Sequence, residues 1–242
     1  MARGQPDFGM YAATSTIASV ADMGELAARL YSPDVFERQG NVAFIDTFDN
    51  DLVPYHIDLS GLGADVKVVS EYSKTGLFAA KLTCGSTLSH LSSIYKYLSY
   101  PAFSKWGFEV AFTFNDAIER YDFVLTLAIG TDYYDVHIQY LNSIDTLRYR
   151  AFGGAYVPIL TPVSPYALPR LFHVLKVVAD FNTRQYVRVI LDNRRISLAG
   201  IPMYKSAGLF GYFMLADFKV IEDRDANPTC YIDEFIITQN EP

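Results

Sequence analysis

The chain has 242 residues, of which 50% are hydrophobic, 15% aromatic and only 19% charged, with a formal net charge of −7. The length suits one large all-β domain with a full core behind a short arm, and a charged fraction below the roughly 25% of average soluble proteins marks a chain that buries much of itself or sits in an assembly. The negative balance offers no electrostatic footprint for phosphate backbones or anionic lipid, so no nucleic acid and no membrane is expected as a partner.

Residues 1–15 carry Gly, Pro and small side chains without periodicity and read as an extended arm. A short helix follows: Ser19 with Asp22 makes a capping pair, Val20, Met23, Leu26, Ala27 and Leu30 form one apolar stripe, and Ser32-Pro33 ends the run. At about three turns this helix cannot be stable alone, so Val20, Met23, Leu26 and Leu30 are a candidate assembly contact. Residues 1–40 are therefore set apart from a domain at 41–242. The N-terminus has no basic region followed by an apolar one, and no run approaches the roughly 18 apolar residues that span a bilayer, so neither a signal peptide nor a transmembrane segment is expected.

From Val42 the period changes to two. In Trp106-Gly-Phe108-Glu-Val110-Ala-Phe112-Thr-Phe114 every second residue is large and apolar, which predicts a strand with one face in a core. Further strands are expected at Tyr121 to Ile129, Tyr133 to Leu141, Leu147 to Phe152, Phe172 to Asp180, Tyr186 to Asp192, Gly208 to Val220 and Tyr231 to Thr238, separated by Gly, Pro, Asn and Asp. Strands in this number without intervening helices predict an antiparallel two-sheet β-sandwich. Val157 to Pro169 holds four prolines and is expected to be a long edge loop. Cys84 and Cys230, the only cysteines, are too far apart in sequence for a metal knuckle or a redox motif and read as small buried hydrophobes.

Several segments resemble, in order, the jelly rolls of the concanavalin A-like lectin and glucanase superfamily, which includes laminin G-like domains and many carbohydrate-binding modules. Phe44 to Asp49 resembles their opening strand and Thr75 to Leu82 the glycine-led strand after it. Phe172 to Asp180 with Tyr186 to Asn193 resembles a central strand pair, Ile196 to Pro202 a common loop, and Cys230 to Ile237 the closing strand that lies beside the first. The resemblance implies an all-β jelly roll over most of residues 43 to 238; it does not imply one function, because the fold carries lectins, hydrolases, lyases and adhesion modules.

Retaining hydrolases of this fold carry a Glu-x-Asp-x-x-Glu strand that sets two carboxylates about 5 to 5.5 Å apart. No such string occurs here: Asp132 with Asp135 has the wrong spacing, and Glu222-Asp-Arg-Asp225 reads as a solvated turn. Lyases of the fold use Gln-(Ile/Val)-His, whereas this chain has His137-Ile-Gln139 without the companion motifs. No catalytic residue is therefore assigned, and a non-enzymatic role is expected.

One polar constellation remains. If Asn142 to Asp145 is a hairpin turn, Leu141 faces Thr146, Gln139 faces Arg148 and His137 faces Arg150, all opposite Val136, Ile138 and Tyr140. Asp135, His137, Gln139, Arg148 and Arg150, with Tyr133 or Phe152 alongside, are candidate carbohydrate-binding residues on a concave sheet face. Asp46, Asp49 and Asp233 are candidates for a structural calcium, since the first and last strands should be neighbours and many binding modules of the type that this chain resembles hold one there; no other cofactor is expected. These features predict a structural or decorating component of a virus-like, bacteriophage-type particle, forming homo-oligomers or gripping other structural proteins through its arm. The alternatives are a glycan-binding module and, last, a polysaccharide-degrading enzyme.

Overall fold

In the computed structural model, residues 40–86, 90–163, 165–168, 170–222 and 227–242 are described. The arm, its helix and the contact residues Val20, Met23, Leu26 and Leu30 lie outside them. Among the described residues the strands pair antiparallel in two sheets. The larger runs, in spatial order, β12 (Arg194–Ser197), β11 (Gln185–Leu191), β10 (Phe172–Asp180), β6 (Lys105–Thr113), β14 (Thr229–Gln239), β4 (Ala79–Thr83) and β3 (Asp65–Val69), with β1 (Asn41–Asp46) also on β14. The smaller runs β2 (His56–Leu59), β5 (His90–Ser99), β13 (Tyr204–Glu222), β7 (Arg120–Leu141), β8 (Thr146–Arg150) and β9 (Tyr156–Leu160). The expected sandwich is present, and its last strand lies beside its first.

Alternation in sequence becomes layering in space. Trp106, Phe108, Val110, Phe112 and Phe114 are all buried, and the Phe112 ring meets Tyr121, Phe123 and Phe218 of the opposite sheet at centroid distances of 5.5, 5.3 and 6.0 Å. Edge-to-face and tilted aromatic contacts of this kind add about 0.5–1.5 kcal/mol each beyond area burial. Cys84 and Cys230 are buried free thiols, as expected, and burial pushes the Cys84 thiol up to about 12.

β7 is bent on itself. Asn142 N donates to Glu119 O at 2.8 Å, Gln139 Nε2 to Asp122 Oδ1 at 2.6 Å and Thr126 Oγ1 to Asp135 Oδ1 at 2.7 Å, which lays residues 132–141 antiparallel against residues 120–129. The fold comes at Gly130-Thr131, where Gly130 has φ 64°, the left-handed conformation that two-residue hairpin turns with glycine in first place require. β13 wraps round this tip: Tyr204–Ala207 pairs with Asp135–Asp132 on one side, and Gly211–Ile221 pairs with Gly130–Arg120 on the other. The smaller sheet is thus one strand wider than its six elements suggest.

Elsewhere the elements depart from the expected ones for identifiable reasons. The stretch from Val157 is not wholly a loop: it opens with β9, which tolerates Pro158 because β9 is an edge strand that needs no second ladder. The segment around Ile196 forms the short β12 before its turn, and the strand expected from Gly208 starts at Tyr204. β2, β3 and β5 were not expected. β2 is fully exposed and β3 an edge strand, while β5 puts Ser92, Ile94 and Leu98 on the face opposite Ser93, Tyr95 and Tyr97, so neither face stands out as apolar. Among the described residues no helix is long and apolar enough to cross a membrane.

The outer face of the larger sheet carries a buried network of paired charges. Glu241 folds back over it, ion-paired with Lys176 at 2.6 Å and accepting from Arg188 at 2.5 Å and Thr238 at 2.5 Å, while Arg188 Nη1 also donates to Pro242 O at 2.7 Å. Gly107 lies directly beneath, and a Cβ there would stand 2.4 Å from Thr238 Oγ1. Removing one member of a buried ion network leaves the others charged and desolvated. Glu241→Gln should therefore destabilise the domain by about 3–5 kcal/mol in denaturant titrations; a change within ordinary surface scatter would show that Glu241 does not hold this face.

Candidate polar sheet face

The fold-back in β7 decides what the outer face of the smaller sheet displays. Tyr121, Phe123, Leu125 and Leu127 on its first arm, and Val136, Ile138 and Tyr140 on its second, point into the core. The alternate positions are Asp122, Val124 and Thr126 on one arm and Asp135, His137 and Gln139 on the other. β13 adds Asp217 opposite Val124 and Lys219 opposite Asp122, and β5 adds Tyr95 opposite Asp217 and Ser93 opposite Lys219. On the far side stand Arg148, which pairs with Gln139, and Arg150, which pairs with Tyr156.

Asp122 is the centre of this floor and only 3% exposed. Its carboxylate accepts from Gln139, lies 3.2 Å from Arg120 Nε and has His137 Nε2 at an ion-pair distance of 3.2 Å. Burial pushes the Asp122 carboxyl up, but the adjacent His137, Arg120 and Gln139 more than offset it, so it sits below the usual carboxylate range. From this anchor two chains lead outward. Gln139 Oε1 accepts from Arg148 Nε at 2.6 Å, and His137 Nδ1 lies 3.2 Å from the Tyr156 hydroxyl.

The second carboxylate, Asp217, behaves differently. It accepts from Ser93 Oγ and Lys219 Nζ, both at 2.6 Å, yet burial outweighs these donors and raises its pKa. Lys219 is the more exposed partner, at 30% of its side chain against 5%; burial lowers its pKa, but Asp217 more than compensates and holds it raised. Asp135 is also raised by burial, against a hydrogen bond from Thr126. Aromatic rings flank the floor. His56 stacks on Tyr95 at 5.4 Å and Phe213 lies between Tyr97 and Tyr133 on one side; Tyr156 and Tyr204 stand on the other.

The structure brings Asp135, His137, Gln139, Arg148 and Arg150 to one face, as the hairpin reading expected, with Gln139 opposite Arg148 and Leu141 opposite Thr146. The turn is a single 3-10 turn over Asn142–Ile144 closed by Asp145 at φ 48°. The expected His137–Arg150 pair is not part of the ladder, which ends at Ile138–Tyr149. Tyr186 from the opposite sheet takes the place: its hydroxyl accepts from His137 N at 2.9 Å and donates to Arg150 O at 2.8 Å. Gln139, at 1% exposure, supports the face from below. Tyr133 donates its hydroxyl to Leu209 O and belongs to the tip, and Phe152 lies beyond β8 in an exposed turn.

Asp122, Asp217, Lys219, Ser93, Tyr95, Tyr156 and Tyr204 were not singled out from sequence. The signal for three of them was present, since Tyr121-Asp122-Phe123 and Ala216-Asp217-Phe218-Lys219-Val220 place charges at the outward positions of otherwise apolar strands.

The calcium candidates do not gather. Asp233 accepts from the backbone N–H of Lys74, Thr75 and Glu234 at 2.9, 2.9 and 2.7 Å, Asp49 from Leu77 N and Thr47 Oγ1, and Asp46 from Phe48 N. Their oxygens hold loops in place, and no group of three or more His, Cys, Asp or Glu among the described residues could hold a metal ion.

No protein-family model matches the sequence, and no curated protein matches it. Solved structures do match. A cellulose-induced protein, Cip1, superposes with a TM-score of 0.57 at 13% identity, over 81% of this chain and 96% of its own. A carbohydrate esterase from the Shiga toxin-encoding bacteriophage phi24B gives 0.53 at 15% identity, over 83% and 99%. A Bacillus subtilis protein of unknown function with a galectin-like fold gives 0.51 at 10%, over 84% and 97%. The fold is the concanavalin A-like jelly roll. At these identities the likeness establishes the lectin-like architecture, and the face must be argued from its own residues.

Tyr186 is the contact on which the geometry of this jelly-roll face rests most directly. Tyr186→Phe keeps the ring and strands a buried N–H at His137 and a part-buried C=O at Arg150, so it should cost about 1–3 kcal/mol. Amide exchange at His137 should quicken beyond the global change, and unaltered exchange there would refute the bridging role.

Proposed function

We propose that the protein binds an oligosaccharide on the outer face of its smaller sheet and does no chemistry on it. The observation that carries this reading is a floor of hydrogen-bonding side chains, anchored by Asp122, set between aromatic rings on a face that the other sheet leaves uncovered. Sugar rings present hydroxyls at their edges and apolar C–H faces, and fixed polar groups beside exposed aromatic rings match both. The three carboxylates of the floor are committed: Asp122 to Gln139, Arg120 and His137, Asp217 to Lys219 and Ser93, and Asp135 to Thr126. A hydrolytic acid and nucleophile would need open approach to the scissile bond. That the fold neighbours include a cellulose-induced protein and a carbohydrate esterase accords with a sugar ligand.

A second reading concerns where the domain works. The apolar stripe Val20, Met23, Leu26 and Leu30 and the low charged fraction favour a decorating or structural component of a virus-like, phage-type particle, held by residues 1–40. Deleting residues 1–40 should then abolish oligomerisation or particle attachment while the sandwich stays folded, and a plain monomer before deletion would refute it.

For the sugar, titration with an oligosaccharide panel should give millimolar to micromolar binding, about −4 to −8 kcal/mol. Tyr95→Ala and Tyr156→Ala should each weaken it about ten-fold, and no reducing ends or unsaturated products should appear. Failure of every glycan to bind would sink the reading, and product formation would overturn its non-catalytic part.

A further inference from the structure

The cations of this face are not equally occupied. Arg120 is paired with Asp122 and Lys219 with Asp217. Arg148 and Arg150 stand on one strand, two residues apart and facing the same way, and among the described residues neither has a carboxylate within ion-pair distance. Arg148 spends only its Nε, on Gln139, and the buried Nε of Arg150 has no hydrogen-bond partner. Both are nevertheless held in place by aromatic rings. The Arg150 guanidinium lies 3.7 Å from the Tyr204 ring centroid and 5.9 Å from that of Tyr156, and Arg148 lies 4.6 Å from Tyr156.

Two like charges side by side on a sheet face repel, and a guanidinium fork fixed by stacking is the arrangement that binds a planar carboxylate in two-point fashion. Here the forks are fixed, adjacent and without a carboxylate in ion-pair contact among the described residues, within a chain of net charge −7. We propose that the oligosaccharide bound by this face is acidic, and that Arg148 and Arg150 receive the carboxylate of a uronic-acid residue. Tyr156, beneath both guanidinium groups and tied to His137, sets where that sugar lies. Arg148 is oriented through Gln139 to Asp122, so the buried carboxylate positions the cation without neutralising it.

The inference rests on the reading of the face as a sugar platform, and the test separates the two. The full-length protein would be titrated calorimetrically with uronate oligosaccharides, with neutral oligosaccharides of equal length and with sulfated neutral ones, each at low and high salt. Uronates should bind about ten-fold tighter than neutral chains at low salt, with the preference shrinking as salt screens it. Arg150→Gln and Arg148→Gln should each bring the acidic-to-neutral affinity ratio close to one, and Arg150→Lys should restore it only in part, because an ammonium lacks the fork. Melting curves of all three variants would establish that they are folded. Equal binding of acidic and neutral chains, or a ratio unchanged in both Gln variants, would overturn the proposal while leaving the sugar platform intact. Preference for sulfated over uronate chains would overturn the carboxylate assignment, and no binding by any chain would remove the platform as well.

Discussion

The hydrogen bond from Gln139 to Asp122 across the β7 fold-back is the contact on which the rest of the molecule depends. It fixes a register in which Tyr121 and Tyr140 meet inside the core while Asp122 and Gln139 meet outside it. Side chains alternate with period two, so a slip of one residue on either arm would drive a carboxylate into the aromatic core and lift a tyrosine out of it. Burial of Phe123, Ile138 and their neighbours makes that exchange prohibitive, at about 1.5–3 kcal/mol for each large side chain exposed. Gly130 permits the fold, and the wrap of β13 around its tip holds both arms from outside.

The two outer faces of the sandwich both bury charge, but they treat it differently. On the larger sheet, Lys176 and Arg188 are both ion-paired with Glu241, and Arg188 also reaches the Pro242 carbonyl. On the smaller sheet the network around Asp122 stops short of closure and ends in two guanidinium groups lying on tyrosine rings. Desolvating a charge without a partner is costly in proportion to its burial. The cations paired with a carboxylate are thus read as structure, and the two without one as a site.

Much of this was legible in the strands whose alternation is strong. β6 reads directly from Trp106 to Phe114, and the turn at Asn142 gave the Gln139–Arg148 pairing because a hairpin turn sets register without regard to the rest of the fold. Strands that carry the rim of the site were harder. β5 places Tyr95 and Tyr97 outward and Ile94 and Leu98 inward, so apolar character on both faces hides its period. β9 begins in a proline-rich stretch whose composition signals a loop, although an edge strand accommodates Pro158. Asp122 and Asp217 come together only through the pairing of β13 with the first arm of β7, a contact between residues some ninety-five positions apart in sequence that no local pattern encodes. The bridge made by Tyr186 is equally invisible, because it belongs to the opposite sheet.

The width of the face also constrains the ligand proposed for it. From Tyr95 on β5 to Tyr156 on β9 the path crosses β13, both arms of β7 and β8, five inter-strand steps of about 4.8 Å and so about 24 Å in all. A single sugar cannot touch both rims, whereas a chain of several sugars laid across the strands reaches both and passes over Asp217, Asp122 and the arginine pair in turn. The two rims then ask for different things. The Tyr95 side offers rings and the Asp217–Lys219 pair, which suit an uncharged sugar, and the Tyr156 side offers two arginines without an ion-pair partner among the described residues.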